Sequence, residues 1–259
     1  MKLAVDGVNI SYERAGEGPP ALLLHGWGGK AASMGPVALG LQDIRTCTSI
    51  GFPGFGESDA PPSPWSVSEY TDNLVAFMQA AGIEKADIVA HSFGGRVALL
   101  LSATHPELVG KVVITGGAGL KPKRSLGYYI RVWVYKLGKA IRRRPALNRL
   151  CKAIGIDLDK RAQSAGSEDY RALSDEMKKT FVRVVNQDLR WCLPKIQAST
   201  LLIWGEHDSG ASALWMGQAM AKEIPDAGLV VFEGCGHFAY LEQTARFVKI
   251  VRTFLGGKP

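Results

Sequence analysis

Short apolar runs recur along the chain at Ala21–Leu24, Thr46–Ile50, Ile88–Ala90, Val112–Thr115, Leu201–Trp204 and Leu229–Phe232, several of them β-branched and bounded by glycine or an acid. They are too short for helices and lack polar alternation, which is the pattern of strands buried on both faces. Between them the apolar positions change to helical spacing over Val67–Ala81, Gly94–Thr104, Ala213–Ile224 and Leu241–Leu255. Strands alternating with helices predict an α/β fold, a mostly parallel sheet with helices on both faces. At the start, Lys2–Val5 and Val8–Glu13 flank Asp6-Gly7, a tight-turn pair, and read as an antiparallel hairpin.

From about Gly119 to Leu193 the strand rhythm stops and only helical patterns remain. This predicts a helical cap, residues 119–195, inserted into a core made of residues 1–118 and 196–259. Within the cap Leu126, Tyr129, Ile130, Trp133, Val134 and Leu137 fall on one helical face. Such a face packs on the rest of the domain or acts as a lid over an apolar substrate.

Charge sharpens this division. The chain has 31 Lys/Arg against 24 Asp/Glu, a formal net charge of +7, but residues 119–195 alone hold 19 basic against 7 acidic side chains. A basic excess of that kind is ordinarily a solvated surface. No aromatic-studded strand or other nucleic-acid signature accompanies it, so no nucleic-acid partner is expected. Peripheral membrane contact through the basic cap is the less favoured reading. No stretch has the length of a membrane span, and Asp6 interrupts the N-terminus before a secretory apolar region forms, which makes the cytoplasm the expected compartment. Cys47, Cys151, Cys192 and Cys235 lack metal-ligand spacing, so no metal site is expected.

The candidate chemistry lies where strands give way to loops. In Ala90-His91-Ser92-Phe93-Gly94-Gly95, Ser92 falls on a strand-to-helix turn, where its hydroxyl is lifted clear and the helix start points free N–H groups at the site. A serine hydroxyl needs a base, an acid to orient that base, and donors for the developing oxyanion. Of five histidines, His237 follows Gly234 and Gly236 in a loop after the last apolar run and is the expected base. Leu201-Leu202-Ile203-Trp204-Gly205-Glu206-His207-Asp208 offers two acids, Asp208 preferred and Glu206 the fallback. The glycine-rich loop His25-Gly26-Trp27-Gly28-Gly29 follows the first strong strand. The backbone amides of Trp27 and Phe93 are the expected oxyanion donors, and His25, Gly26, Trp133 and Phe238 are placed at the substrate.

Taken together, HGWGG at 25–29, GFPGFGESD at 51–59, AHSFGG at 90–95, GEHD at 205–208 and GCGHF at 234–238 resemble a capped member of the α/β-hydrolase superfamily, in family order. The resemblance implies an eight-stranded, mostly parallel sheet, the triad Ser92, Asp208 and His237, and no cofactor. Two positions depart from the pattern. Ala90 replaces the usual first glycine of the serine turn, as in some lipases of the superfamily, and Gly51 stands where many relatives carry aspartate. The implied reaction is two-step acyl transfer, with ester hydrolysis of small to medium apolar or aromatic acyl groups as the leading reading. The same triad also serves carbon–carbon bond hydrolases of vinylogous diketones, proline iminopeptidases and, on the same fold, non-enzymatic ligand-binding proteins. A basic cap disfavours the aminopeptidase and suits acidic diketone substrates.

Overall fold

The computed structural model describes residues 1–121, 126–142, 144, 149 and 173–256. Eight strands form one sheet: β1 Lys2–Val5, β2 Val8–Ala15, β3 Pro20–Leu24, β4 Thr46–Ile50, β5 Ala86–His91, β6 Val109–Thr115, β7 Thr200–Gly205 and β8 Ala227–Phe232. Their order across the sheet is β1-β2-β4-β3-β5-β6-β7-β8. The hairpin β1–β2 and the β2–β4 pair are antiparallel, while every pair from β4 to β8 is parallel.

Alternate residues of the central strands serve opposite faces. Leu23, Val89, Val113 and Ile203 join Met34, Val37, Leu41, Phe247, Val251 and Leu255 in one core cluster. These partners come from α1 (Gly35–Leu41), with Met34 in the short turn just before it, and from the last helix, Thr244–Leu255. Leu22, Leu24, Ile88, Ala90, Ile114, Leu202 and Trp204 are equally buried at the intervening positions. That second face is covered by α2 (Val67–Ala80), α3 (Phe93–Thr104) and the helix Leu214–Glu223. Burial on both sides explains why these strands read as uninterrupted apolar runs.

Local sequence explains where several helices start and stop. Ser66-Val67-Ser68-Glu69 is a capping box: the Ser66 hydroxyl accepts from Ser68 N–H at 3.2 Å and Glu69 reaches back to Ser66 N–H at 2.7 Å. The C-terminal helical pattern, expected as one helix over Leu241–Leu255, is two, Ala239–Glu242 and Thr244–Leu255, because Gln243 leaves helical geometry at φ −130°, ψ 55°. There the Gln243 amide donates to Cys235 Sγ at 3.0 Å and Glu242 accepts from Gly236 N–H at 3.0 Å, so the break fastens the loop that carries His237.

Two compact units are distinguished, one of Met1–Lys121 with Asp175–Pro259 and the other of Pro122–Ser174. Residues 175–195, expected within the inserted cap, therefore count with the sheet. The helix Asp175–Asn186 buries Met177, Thr180 and Val184. Thr180 accepts from Trp65 N–H at 3.1 Å, and Gln187 just beyond it accepts from Val67 N–H at 2.8 Å. In the second unit the helix Leu126–Arg142 carries the expected apolar stripe, and Ile130, Trp133, Val134 and Leu137 on it are exposed. Most of the remaining cap sequence, with the 145–148 and 150–172 stretches, lies outside the described residues.

Candidate active site

In the sheet register, Leu24 of β3 lies beside Ala90 of β5, Thr115 of β6 pairs with His91 on one side and Ile203 on the other, and Gly205 of β7 pairs with Phe232 of β8. The strands thus end together, and the loops holding His25, Ser92, Asp208 and His237 emerge from one carboxyl edge, where open α/β sheets form their crevice.

Ser92 joins β5 directly to α3 with φ 50° and ψ −104°, a conformation costly for a residue with a side chain. The surroundings over-determine it. Ser92 N–H donates to Thr115 O at 3.1 Å, and its carbonyl accepts from Gly95 N–H at 3.1 Å and Ala118 N–H at 3.2 Å. Close approach also requires glycine at 94: a Cβ there would sit 2.4 Å from the Leu24 carbonyl oxygen, while Gly94 N–H donates to His25 O at 3.1 Å. Ala90, the departure in the serine turn, is fully buried and keeps its place in the sheet. At the other departure, Ser58 bridges the turn. Its hydroxyl accepts from Ser11 N–H at 2.8 Å and donates to Gly51 O at 2.7 Å.

His237 Nε2 lies 3.1 Å from Ser92 Oγ, and Nδ1 lies 3.0 Å from Asp208 Oδ2. The Asp208 side chain is 1% exposed and that of His237 31%, so the carboxylate is sequestered behind a ring that still meets solvent. Of the two candidate acids, Asp208 faces the imidazole, while Glu206 accepts from Gly234 N–H at 3.0 Å and supports the loop instead. For Nε2 to accept from Ser92, the proton of the neutral ring must sit on Nδ1, facing the carboxylate. Such a chain can draw a proton from the hydroxyl and stabilise the imidazolium that results.

The two residues expected to supply oxyanion donors, Trp27 and Phe93, pack ring against ring. Phe93 N–H, the first of α3, has no acceptor within its own helix. The Phe93 ring is locked edge-on among Phe52 at 5.0 Å, Tyr70 at 5.0 Å and Trp27 at 5.3 Å. Trp27 in turn meets Phe55 at 4.8 Å and Phe181 at 5.1 Å. This aromatic wall was not legible as a unit in the sequence, since its members come from five separated segments.

The residues expected at the substrate divide. Gly26 lies against the serine turn, where a Cβ would sit 3.3 Å from Ser92 Cβ. Phe238 is half exposed and meets the His237 ring edge-on at 5.2 Å. His25 instead faces inward. It is fully buried, its Nε2 accepts from Phe52 N–H at 3.0 Å and its Nδ1–H donates to Gly26 O at 2.7 Å, so it ties the 25–29 loop to the 51–59 turn. Burial lowers its pKa to about 4. Trp133 belongs to the second unit. His91, next to Ser92 in sequence, is buried and donates from Nε2 to His237 O at 3.2 Å, with its pKa lowered to about 3, chiefly by burial. A further side chain that sequence reasoning missed is Ser212, whose hydroxyl is 2.9 Å from His237 Nδ1.

Comparison with known proteins agrees with this architecture. A family model for the alpha/beta hydrolase fold matches residues 19–244. A 2-hydroxymuconate semialdehyde hydrolase of Pseudomonas putida is 30% identical, over 96% of this chain and 91% of its own length. Among solved structures, a meta-cleavage product hydrolase from Pseudomonas fluorescens is 25% identical with a TM-score of 0.72, covering 98% of this chain and 97% of that one. An N-acyl homoserine lactone degrading enzyme is also 25% identical, with a TM-score of 0.73 and coverage of 98% and 100%. By the extent of the family match and the whole-length relatives, this chain belongs to the α/β-hydrolase family.

Proposed function

We propose that this chain is a serine-type hydrolase that cleaves a carbon–carbon bond beside a carbonyl, in an acidic substrate of the vinylogous diketone class. The serine mechanism is supported by the Ser92–His237–Asp208 contacts, and the choice of bond is carried by the 30% identity to the P. putida 2-hydroxymuconate semialdehyde hydrolase over nearly the whole chain. The excess of 19 basic over 7 acidic residues in the 119–195 segment suits a carboxylate-bearing substrate. This reading replaces the ester as the first choice drawn from sequence.

In the proposed sequence His237 takes the Ser92 proton as Oγ bonds to the carbonyl carbon, with the Trp27 and Phe93 amides holding the oxyanion. The carbon–carbon bond then breaks. Its electron pair leaves on the vinylogous fragment as a delocalised enolate, which takes the proton from His237. Water, deprotonated by the same imidazole, cleaves the acyl-enzyme, so one water is consumed and an acid and a protonated fragment are released. Asp208 stabilises the imidazolium in both halves. Ester hydrolysis is the second reading, favoured by the likeness to the lactone-degrading enzyme, because the same relay would expel an alkoxide.

A panel separates the two. 2-Hydroxymuconate semialdehyde, which loses its absorbance on cleavage, is compared with p-nitrophenyl esters from acetate to laurate. The expected result is a kcat/KM for the semialdehyde at least about tenfold above every ester, a difference of about 1.4 kcal/mol in transition-state binding. Any ester that exceeds the semialdehyde overturns the assignment of the bond in favour of ester hydrolysis.

A further inference from the structure

Ser212 ends the short turn Gly210–Ser212, four residues beyond Asp208, and is 3% exposed. Its hydroxyl lies 2.9 Å from His237 Nδ1 and 3.3 Å from Asp208 Oδ1, while the other carboxylate oxygen, Oδ2, is 3.0 Å from the same nitrogen. Three polar groups therefore close on one another. With Nε2 accepting from Ser92, Nδ1 carries its proton, shared between Asp208 Oδ2 and Ser212 Oγ, and the Ser212 proton goes to Asp208 Oδ1. Every donor then has an acceptor. With the ring proton on Nε2 instead, the Nδ1 lone pair would face the Asp208 Oδ2 lone pairs.

The position of this hydroxyl is built into the core. Ser212 O accepts from the Trp204 indole N–H at 2.6 Å, and Trp204 is a fully buried residue of β7. The covering helix makes room for that indole at Gly217, where a Cβ would come within 2.8 Å of the ring. The serine is thus held from the sheet, although it sits in a loop.

We infer that Ser212 is a positioning residue for the His237–Asp208 pair. It keeps the carboxylate turned toward Nδ1–H and holds the ring in the tautomer whose Nε2 faces Ser92. The inference rests on the serine mechanism proposed above. Because Nδ1–H is present in both neutral and imidazolium forms, Ser212 acts throughout the cycle without exchanging a proton itself. Its loss is felt in ring orientation and in the proton affinity of Nε2, and substrate binding is left alone.

The test compares the wild-type protein, Ser212→Ala and Ser92→Ala on the best substrate of the panel. Ser212→Ala is expected to lower kcat roughly tenfold with KM within about twofold, as for loss of a hydrogen bond to an ionised group. It should also move the acid limb of the kcat–pH profile and the downfield proton resonance of His237 Nδ1–H, in a protein that melts as the wild type does. If Ser92→Ala is inactive but Ser212→Ala keeps the wild-type acid limb and resonance, the inference on Ser212 is overturned whatever happens to kcat. If Ser92→Ala still turns over, the serine mechanism itself fails.

Discussion

Replacing Ser92 by glycine is expected to abolish turnover, by ~10⁴-fold or more, and at the same time to make the protein more stable. The first effect follows from removing the atom that would form the acyl-enzyme, a loss that orientation and oxyanion donors cannot restore. The second follows from the backbone. Ser92 is held at φ 50° and ψ −104°, and such strain costs on the order of 1–3 kcal/mol for a residue with a Cβ. Glycine adopts the same angles without that cost, at the expense of greater freedom in the unfolded chain, for a net gain of about 1 kcal/mol. Ser92→Ala should be equally inactive but retain the strain. Melting temperatures of the three proteins would therefore place glycine highest, and a glycine variant that melts below the alanine variant would refute the strain argument.

Acid is the second large perturbation. His25 and His91 are buried and neutral, with pKa values lowered to about 4 and about 3. An unfolded histidine titrates near ~6.5, so below that pH the unfolded chain binds protons that the folded chain refuses. The stability contributed by the neutral pair is full above that value and drains away as pH falls, down to the folded-state pKa of each ring. Around pH 5 each histidine should cost about 2 kcal/mol, together lowering the melting temperature by roughly 10 °C relative to pH 7.5. Both rings are committed to structure: His25 bridges Phe52 and Gly26, and His91 supports the His237 carbonyl. His91→Asn should shrink the acid-induced drop. A melting temperature that stays level between about pH 7.5 and 5 would show that these rings are not held neutral.

Much of the fold was legible because its strands are buried on both faces and so stand out as continuous apolar runs. The loops that follow them carry the glycines, the serine, the acid and the histidine, and the geometry brings His237 within hydrogen-bond distance of both Ser92 and Asp208. What escaped the sequence escaped for physical reasons. The helix Gly35–Leu41 contains Gly35, Pro36 and Gly40, and Gly40 is there because Val248 would sit 2.5 Å from a Cβ. Packing, which no local pattern reports, holds that segment helical. A histidine flanked by glycine reads alike whether it faces substrate or core, and only the backbone partners of His25 show that it faces inward. Ser212 has no pattern at all, since its role comes from Trp204 fixing its carbonyl. The bond that is cleaved is not written in the shared motifs either, because ester, lactone and carbon–carbon hydrolysis can use the same relay.

The most direct measurement of the central claim is the intact mass of the protein after exposure to a fluorophosphonate. One adduct per chain, mapped to Ser92, absent in Ser92→Ala and formed far more slowly in His237→Ala, is the result the serine mechanism requires. A folded wild-type protein that remains unlabelled, or one labelled equally well without Ser92, would contradict it.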